Sequence, residues 1–418
     1  MNKVIINYFA CILLSFSVLC SCDLLDPKDD NPEEVPQENV GKLKWTYEFD
    51  ANLYSFGSAA IGPDGTIYLA AGGGTTHWTP ARVYAINPDS TLKWKSDELD
   101  HNAISSEICI GTDGTIYVIG YYTLYAIDPS NGSFKWTWEV QDPQHAQIGC
   151  LAIGNDGTIF FSNIGAGSYI RKLFAVTPQG QTKWIVDGYC AIHLTVGING
   201  NLFLYWYKWS PELFRDIRSI VAVNPTSGAV IWSTEIPDES YMYSSQGIAV
   251  TLSGDLIVST ANPNNLLLIN SSDGSIIWKK SAITGYPSIA PNSDILMFGF
   301  NAGLYCYNSA GDLKWNIGNP LSGTHGVAID SDGKIYVTGF DYNRLGTFQC
   351  FSADGNMVWA LYVDTKGECS AIGNDGTIYA SGEGNPGKLI AIQGDKPLAS
   401  SGWPRTHHDN SNSRNPNR

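Results

Sequence analysis

A chain of 418 residues that is 43% hydrophobic, 16% charged and carries a net charge of −15 can bury a large core, which excludes the disordered class. The same acidity excludes nucleic acid as a partner, since phosphate binding needs a basic surface, and excludes electrostatic attachment to an anionic membrane. Abundant glycine (43 residues) with 12% aromatics suits many short strands joined by tight turns better than long helices.

In chain order, the first element is a targeting segment. Lys3 gives a positive start and residues 4–19 form an apolar run too short and too early for a spanning helix. The run ends in Leu19-Cys20-Ser21-Cys22, which resembles the lipobox of bacterial lipoproteins: an aliphatic residue, a small residue before the cut, then the cysteine that receives lipid. Cys22 fits better than Cys20, because a cut before Cys20 would leave bulky Leu19 at the cleavage position. The expected leader is therefore residues 1–21. Residues 22–40 are rich in Asp, Glu, Pro and Asn and read as a flexible acidic tether. Within it Lys28-Asp29-Asp30 resembles an acidic export signal, which favours the outer face of the outer membrane over the periplasm.

From residue 41 onward the chain repeats itself eight times. The first phrase is Ala60-Ile61-Gly62-Pro63-Asp64-Gly65-Thr66-Ile67-Tyr68. Close copies run over 109–117, 152–160 and 371–379, and weaker ones over 195–203, 249–257, 289–296 and 328–336. Apolar residues flank an Asp-Gly or similar pair, so each copy predicts a strand, a two-residue turn and a strand. A second phrase follows, best seen as Leu124-Tyr125-Ala126-Ile127-Asp128-Pro129-Ser130-Asn131-Gly132-Ser133-Phe134-Lys135-Trp136. It predicts a third strand, a glycine-containing turn and a fourth strand carrying tryptophan. Four antiparallel strands per unit of roughly 40 residues is a propeller blade, so the fold class is all-β, an eight-bladed β-propeller over residues 41–396. The docking tryptophans are Trp45, Trp94, Trp136, Trp184, Trp232, Trp278, Trp315 and Trp359.

The third strand of the eighth unit, residues 388–392, has no tryptophan strand at the usual distance behind it, whereas the chain starts with an orphan one at Leu43-Lys44-Trp45. That N-terminal strand is expected to close the ring and remove its open edge. Trp403 competes for the place, but Pro404 follows it and proline cannot donate within a central ladder. Residues 397–418 are left as a C-terminal tail, expected to lie against the ring.

The pattern Ala126-x-Asp128-x-x-x-Gly132-x-x-x-Trp136, repeated at Ala222, Asn224, Gly228 and Trp232, resembles the tryptophan-docking motif of pyrroloquinoline-quinone-type propellers. The resemblance implies that the tryptophans wedge between blades and are structural. The quinone-dependent dehydrogenases of that family carry an adjacent cysteine pair and bind calcium, and this chain has neither feature in its sequence. In size and anchor it is more similar to the propeller lipoproteins of the outer-membrane barrel-assembly machinery, which act as scaffolds. The resemblance therefore implies no enzyme, no cofactor and no metal.

Other residue patterns carry little chemistry. Cys109, Cys306 and Cys350 stand at small-residue positions of the repeat, which reads as packing more than as disulfide bonding, and Cys150, Cys190 and Cys369 complete the set. No Cys-x-x-Cys, His-Glu-x-x-His or Gly-x-Ser-x-Gly is present. His193 and His325 are placed near one channel mouth, and His101 and His145 in blade connections. Each Asp-Gly turn offers one carboxylate, too few oxygens for calcium.

Length variation falls on one face, that of the second-to-third loops and blade connections: residues 71–82, 163–172, 205–219, 340–347 and 383–387. These loops hold Trp78, Tyr121, Tyr122, Tyr169, Trp206, Tyr207, Trp209, Phe214 and Tyr342, and Ser210 is positioned to cap one short helix over 210–217. Aromatics on variable loops suggest recognition of a protein or a glycan, or else loops that pack on one another. The expected function is a monomeric, non-catalytic scaffold, tied to the outer membrane by lipid at Cys22 and binding a protein partner. A glycan-binding protein, or a quinone- or metal-dependent oxidoreductase working at the channel mouth, are the alternatives.

Overall fold

The computed structural model describes residues 40–50, 53–54, 58–73, 81–100, 108–120, 122–140, 148–163, 172–188, 191–210, 212, 215–236, 247–261, 263–283, 285–299, 303–318, 327–340, 346–363, 366–383 and 386–418. The expectations placed on residues 1–39, including the Cys22 anchor, lie outside them. Every regular element among the described residues is a strand. They form eight antiparallel sheets arranged as a propeller.

Blade 1 contains Ala60–Ile61, Ile67–Gly73, Arg82–Ile86 and Leu92–Lys95, with Leu53–Tyr54 added beside Gly72 and Gly73. Blade 2 contains Ile108–Ile110, Ile116–Ile119, Thr123–Ile127 and Phe134–Glu139. Blade 3 runs from Ile148–Ile153 to Thr182–Asp187, and blade 4 from Ala191–Val196 to Val230–Glu235. Blades 5, 6 and 7 start at Ile248–Val250, Tyr286–Ile289 and Val327–Ile329 and end at Ile276–Ser281, Leu313–Ile317 and Met357–Val363. Blade 8 takes Lys366–Ile372, Ile378–Glu383 and Lys388–Ile392 from one end of the chain and Leu43–Glu48 from the other.

The N-terminal strand closes the ring, with Trp45 opposite Ala391 as Trp136 is opposite Ala126. Even the turn is rebuilt from two ends of the chain. Gly41 N–H donates to Gln393 O at 2.7 Å and Gln393 N–H to Lys42 O at 2.8 Å, matching the Ser90 to Asn87 and Asn87 to Thr91 bonds of blade 1. Trp403 lies elsewhere, bridged to Ile289.

The first turn of each blade corrects the expected two-residue hairpin. In blade 1, Gly62 N–H donates to Thr66 O and Gly65 N–H to Gly62 O, which encloses three residues, and of these Gly65 alone has positive φ, at 82°. This is a type I turn followed by a left-handed residue. Asp64 keeps ordinary φ, and its Oδ1 accepts the Thr66 N–H at 3.0 Å. The aspartate is thus selected for its side-chain bond, not for tolerance of positive φ.

Inner strands are buried on both faces, as expected for sheets packed on neighbours. Seven of the eight repeat tryptophans lie against a glycine of the next blade's third turn, Trp94 on Gly132, Trp136 on Gly180, Trp184 on Gly228, Trp232 on Gly274, Trp278 on Gly311, Trp315 on Gly355 and Trp359 on Gly41, and the turn that Trp45 meets has Ser90 at the positive-φ position. A Cβ built on Gly180 would stand 2.8 Å from the Trp136 ring, and its φ is +81°, so glycine is demanded twice at these positions. In six of the eight tryptophans the indole Nε1–H donates to a carbonyl of the turn it meets, as in Trp45 to Pro88, Trp94 to Pro129, Trp136 to Pro178 and Trp184 to Pro225, at 2.8–3.0 Å. Burial of such a ring between blades stabilises by about 2–3 kcal/mol.

Candidate functional site

The connection face carries the largest departure from the repeat. Instead of the short helix expected over 210–217, Leu202–Ser210 and Arg215–Val223 pair continuously from Leu202 opposite Val223 to Ser210 opposite Arg215. Period-two alternation through β-branched and aromatic residues extends both strands and outweighs the Ser210-Pro211-Glu212 capping signal. Ser210 Oγ still bonds Glu212 Oε2 at 2.9 Å, a local contact without a helix behind it. The second and third strands of blade 4 thus run on as a hairpin beyond the blade.

Of the expected ligand-binding aromatics, Trp78, Tyr121, Tyr169 and Tyr342 lie outside the described residues. The backbones of Tyr207 and Trp209 run in the hairpin, opposite Arg218 and Asp216, and their side chains also lie outside. Trp206 is half-buried, packs against the same core cluster as Cys150 and Trp184, and donates Nε1–H to Gly188 O at 3.1 Å. Tyr122 is half-buried against the cluster that contains Trp138. The hairpin therefore joins Trp206, Tyr207 and Trp209 in one element, with Tyr122 two blades away in the ring. His101, His145 and His325 lie outside the described residues.

The channel is where the sequence was least informative. The tail beyond Trp403 lies across the turn-face end of the innermost strands and takes hydrogen bonds from blade after blade. Backbone N–H groups of Ile61, Ile110, Ile153, Val196, Ile289 and Ile329 donate to carbonyls of Asn410, Ser411, Ser413, Arg414, Trp403 and Pro404 at 2.7–3.1 Å. Asn410 Nδ2–H donates to Ile372 O of blade 8, and Asn412, Asn415 and Asn417 donate to Ile108, Ile153 and Gly197 carbonyls. Trp403 is buried in the core of blades 4 to 6. His193 meets this plug: its Nδ1 is 3.1 Å from Arg414 Nη1. Burial pushes the Asp409 carboxyl up, but the adjacent His408 and the Ser413 hydroxyl and N–H outweigh it, so Asp409 titrates below its usual range.

On the turn face, the lysine before the docking tryptophan reaches back to the first turn of its own blade. Lys93 bonds Asp64 and Thr66, Lys135 bonds Asp113 and Thr115, Lys183 bonds Asp156 and Thr158, and Lys44 bonds Asp375 and Thr377. Blade 6 has Asp294 where these have threonine, and Lys314 Nζ sits on it at 2.6 Å. Partial burial raises the Asp64, Asp113, Asp156 and Asp375 carboxyls, and the lysine and threonine donors more than offset it, leaving all four below the usual range. A cavity of about 160 Å³ opens between blades 6 and 7, lined by Pro291, Asp294, Cys306, Asp332 and Ala353. Burial first, then the Asp294 charge, pushes the Cys306 thiol up to about 12, so it is no nucleophile at neutral pH. Cys306 and Cys350 are free thiols.

Among the described residues no three His, Cys, Asp or Glu side chains converge as a metal site. What the arrangement offers is surface: a hairpin on one face, a plugged centre and a clamped rim on the other.

Comparison with known proteins gives the same architecture. Residues 217–395 match the family model described as outer membrane protein assembly factor BamB. No curated protein matches the chain. Among solved structures, the Dos1 propeller is 9% identical over 85% of this chain and 97% of its own, with a TM-score of 0.58. BamB from Moraxella catarrhalis is 12% identical over 85% and 100%, with a TM-score of 0.39. A protein of unknown function from Bacteroides caccae is 16% identical over 61% and 93%, with a TM-score of 0.37. The likeness to the Dos1 propeller is one of fold. The chain is an eight-bladed propeller whose tryptophans dock on neighbouring blades, and its residues 217–395 are similar to that family model.

Proposed function

We propose that this protein is a lipid-anchored scaffold of the outer membrane that binds a protein partner through its connection face. The observation that carries the reading is the blade 4 hairpin, which alone among the described blades extends nine residues on each strand and gathers Trp206, Tyr207 and Trp209. An extended hairpin offers backbone edge and aromatic anchors together, the combination used to bind peptides. The match of residues 217–395 to an outer-membrane assembly factor model supports a scaffold role, and the lipobox-like Leu19-Cys20-Ser21-Cys22 after the expected leader of residues 1–21 supports the anchor. The plugged turn-face end of the channel leaves His193 engaged with Arg414, which weighs against a quinone or metal site at that mouth.

The test is photo-crosslinking in intact cells, with benzoylphenylalanine at position 207 or 209 and at Ile185 on the exposed outer edge as control. The reading expects one discrete protein adduct from the hairpin positions and none from Ile185. Identical patterns from both regions, or retention of a polysaccharide in place of a protein, would sink it. A Cys22→Ala chain should leave the membrane fraction.

A further inference from the structure

The rim of the turn face is charged around most of the ring and becomes apolar over two neighbouring blades. In blades 1, 2, 3, 6 and 8 the residue before the docking tryptophan is a lysine bonded to the first turn. Blade 7 has Val358 there but keeps Lys334, bonded to Asp395, on its first turn, whereas blades 4 and 5 carry Ile231 and Ile277, 45% and 51% exposed. The turns they face change with them. Ile198 and Leu252, 46% and 48% exposed, stand where blades 1 to 3 have Pro63, Thr112 and Asn155. The two blades are continuous at this point, since a Cβ on Gly254 of blade 5 would lie 3.6 Å from Ile198 Cδ1 of blade 4. Single exposed aliphatics need no explanation, but four at matched positions of adjacent repeats make a patch.

One charge remains inside it. Asp255 of blade 5 stands where Asp294 stands in blade 6, immediately before the second strand. In blade 6 that carboxylate holds Lys314 Nζ at 2.6 Å. In blade 5 the lysine is Ile277, and Asp255 is left with Ser253 Oγ at 3.2 Å and Ser271 N–H at 3.3 Å, with no cation in ion-pair range among the described residues. Asp273 adds a second exposed carboxylate on the third turn of the same blade.

We propose that this surface docks an apolar protein segment bearing a lysine or arginine, whose cationic head takes the place on Asp255 that Lys314 fills on Asp294. Charge complementarity selects this occupant. A second copy of the chain brings another net charge of −15, and an anionic membrane surface would be repelled. The site lies on the face opposite the blade 4 hairpin and stands or falls independently of it.

The test pans a random dodecapeptide display library on the full-length chain and on Ile277→Lys. That substitution restores the repeat's own clamp, so it preserves the fold while filling the site, and its melting temperature should not fall below that of the parent. Peptides enriched on the parent should combine aliphatic residues with lysine or arginine. A fluorescent copy should bind Ile277→Lys at least ten-fold more weakly, and Asp255→Asn should weaken it in proportion to the peptide's positive charge. Enrichment of peptides without a basic residue, equal binding by Ile277→Lys, or no enrichment would overturn the proposal. So would sedimentation showing a dimer that Ile277→Lys dissociates.

Discussion

The indole of Trp136 stacks on Gly180 of the next blade and donates its N–H to the Pro178 carbonyl at 2.9 Å. Trp359 makes the same stacking contact on Gly41, yet its Nε1 is buried without an acceptor among the described residues. The reason is the chain break: the turn that supplies the carbonyl elsewhere is split in blade 8 between Gln393 and Gly41. Trp136→Phe should therefore cost about 1 kcal/mol more than Trp359→Phe, because it strands a carbonyl that the second variant never satisfied. Urea unfolding of the two variants measures the difference. The tryptophans and their glycines were legible because stacking and positive φ tolerate few residue types. The lysine clamps were not, since a lysine in a strand reads as ordinary solubility until the turn opposite it is known. Those clamps make an acid prediction. The four clamped aspartates titrate below their unfolded range, so their stabilisation is full above the unfolded value of about 3.9 and is lost as pH falls through the folded values. Denaturation midpoints should fall below about pH 4, and Lys183→Met should flatten that fall. Each half-exposed pair contributes no more than about 0.5 kcal/mol.

At the scale of elements, two segments carry more structure than their local sequence signals imply. The blade 4 insertion carried a helix cap and a strand pattern together, and cross-strand pairing with the opposite arm of the hairpin decided for the strand. A cap is worth about 1 kcal/mol, less than nine paired residues on an already ordered strand. The tail was legible only as far as its position. Its amides and guanidiniums are the groups that satisfy inner-strand carbonyls, a role that composition alone does not reveal. An apolar tail would have left these carbonyls buried and unpaired. Trp403 anchors the plug at 1% exposure, so Trp403→Ala should destabilise by about 3–5 kcal/mol and raise hydrogen exchange at Ile289 and Ile329, whose N–H groups bond Trp403 and Pro404.

Across the whole molecule, one chain makes a ring without an open seam, because eight blades need thirty-two strands in a circle and the eighth borrows its outermost from the start. The borrowed strand was legible from counting alone: a tryptophan strand too many at one end and one too few at the other. The binding surfaces were less so. Repeats advertise what they share, and the hairpin and the apolar rim of blades 4 and 5 are defined by what those blades lack, which emerges only once equivalent positions are superposed in space. Closure is the claim on which the rest depends, and Glu48 opposite Lys388 tests it directly. Paired antiparallel positions lie within disulfide range, so a Glu48→Cys, Lys388→Cys chain should oxidise within one molecule. Peptide mapping should then find residues 48 and 388 linked in a monomer that migrates faster on a non-reducing gel and unfolds at higher temperature. If oxidation gives no such link, or links only separate molecules, the N-terminal strand does not complete blade 8 and the closed ring is wrong.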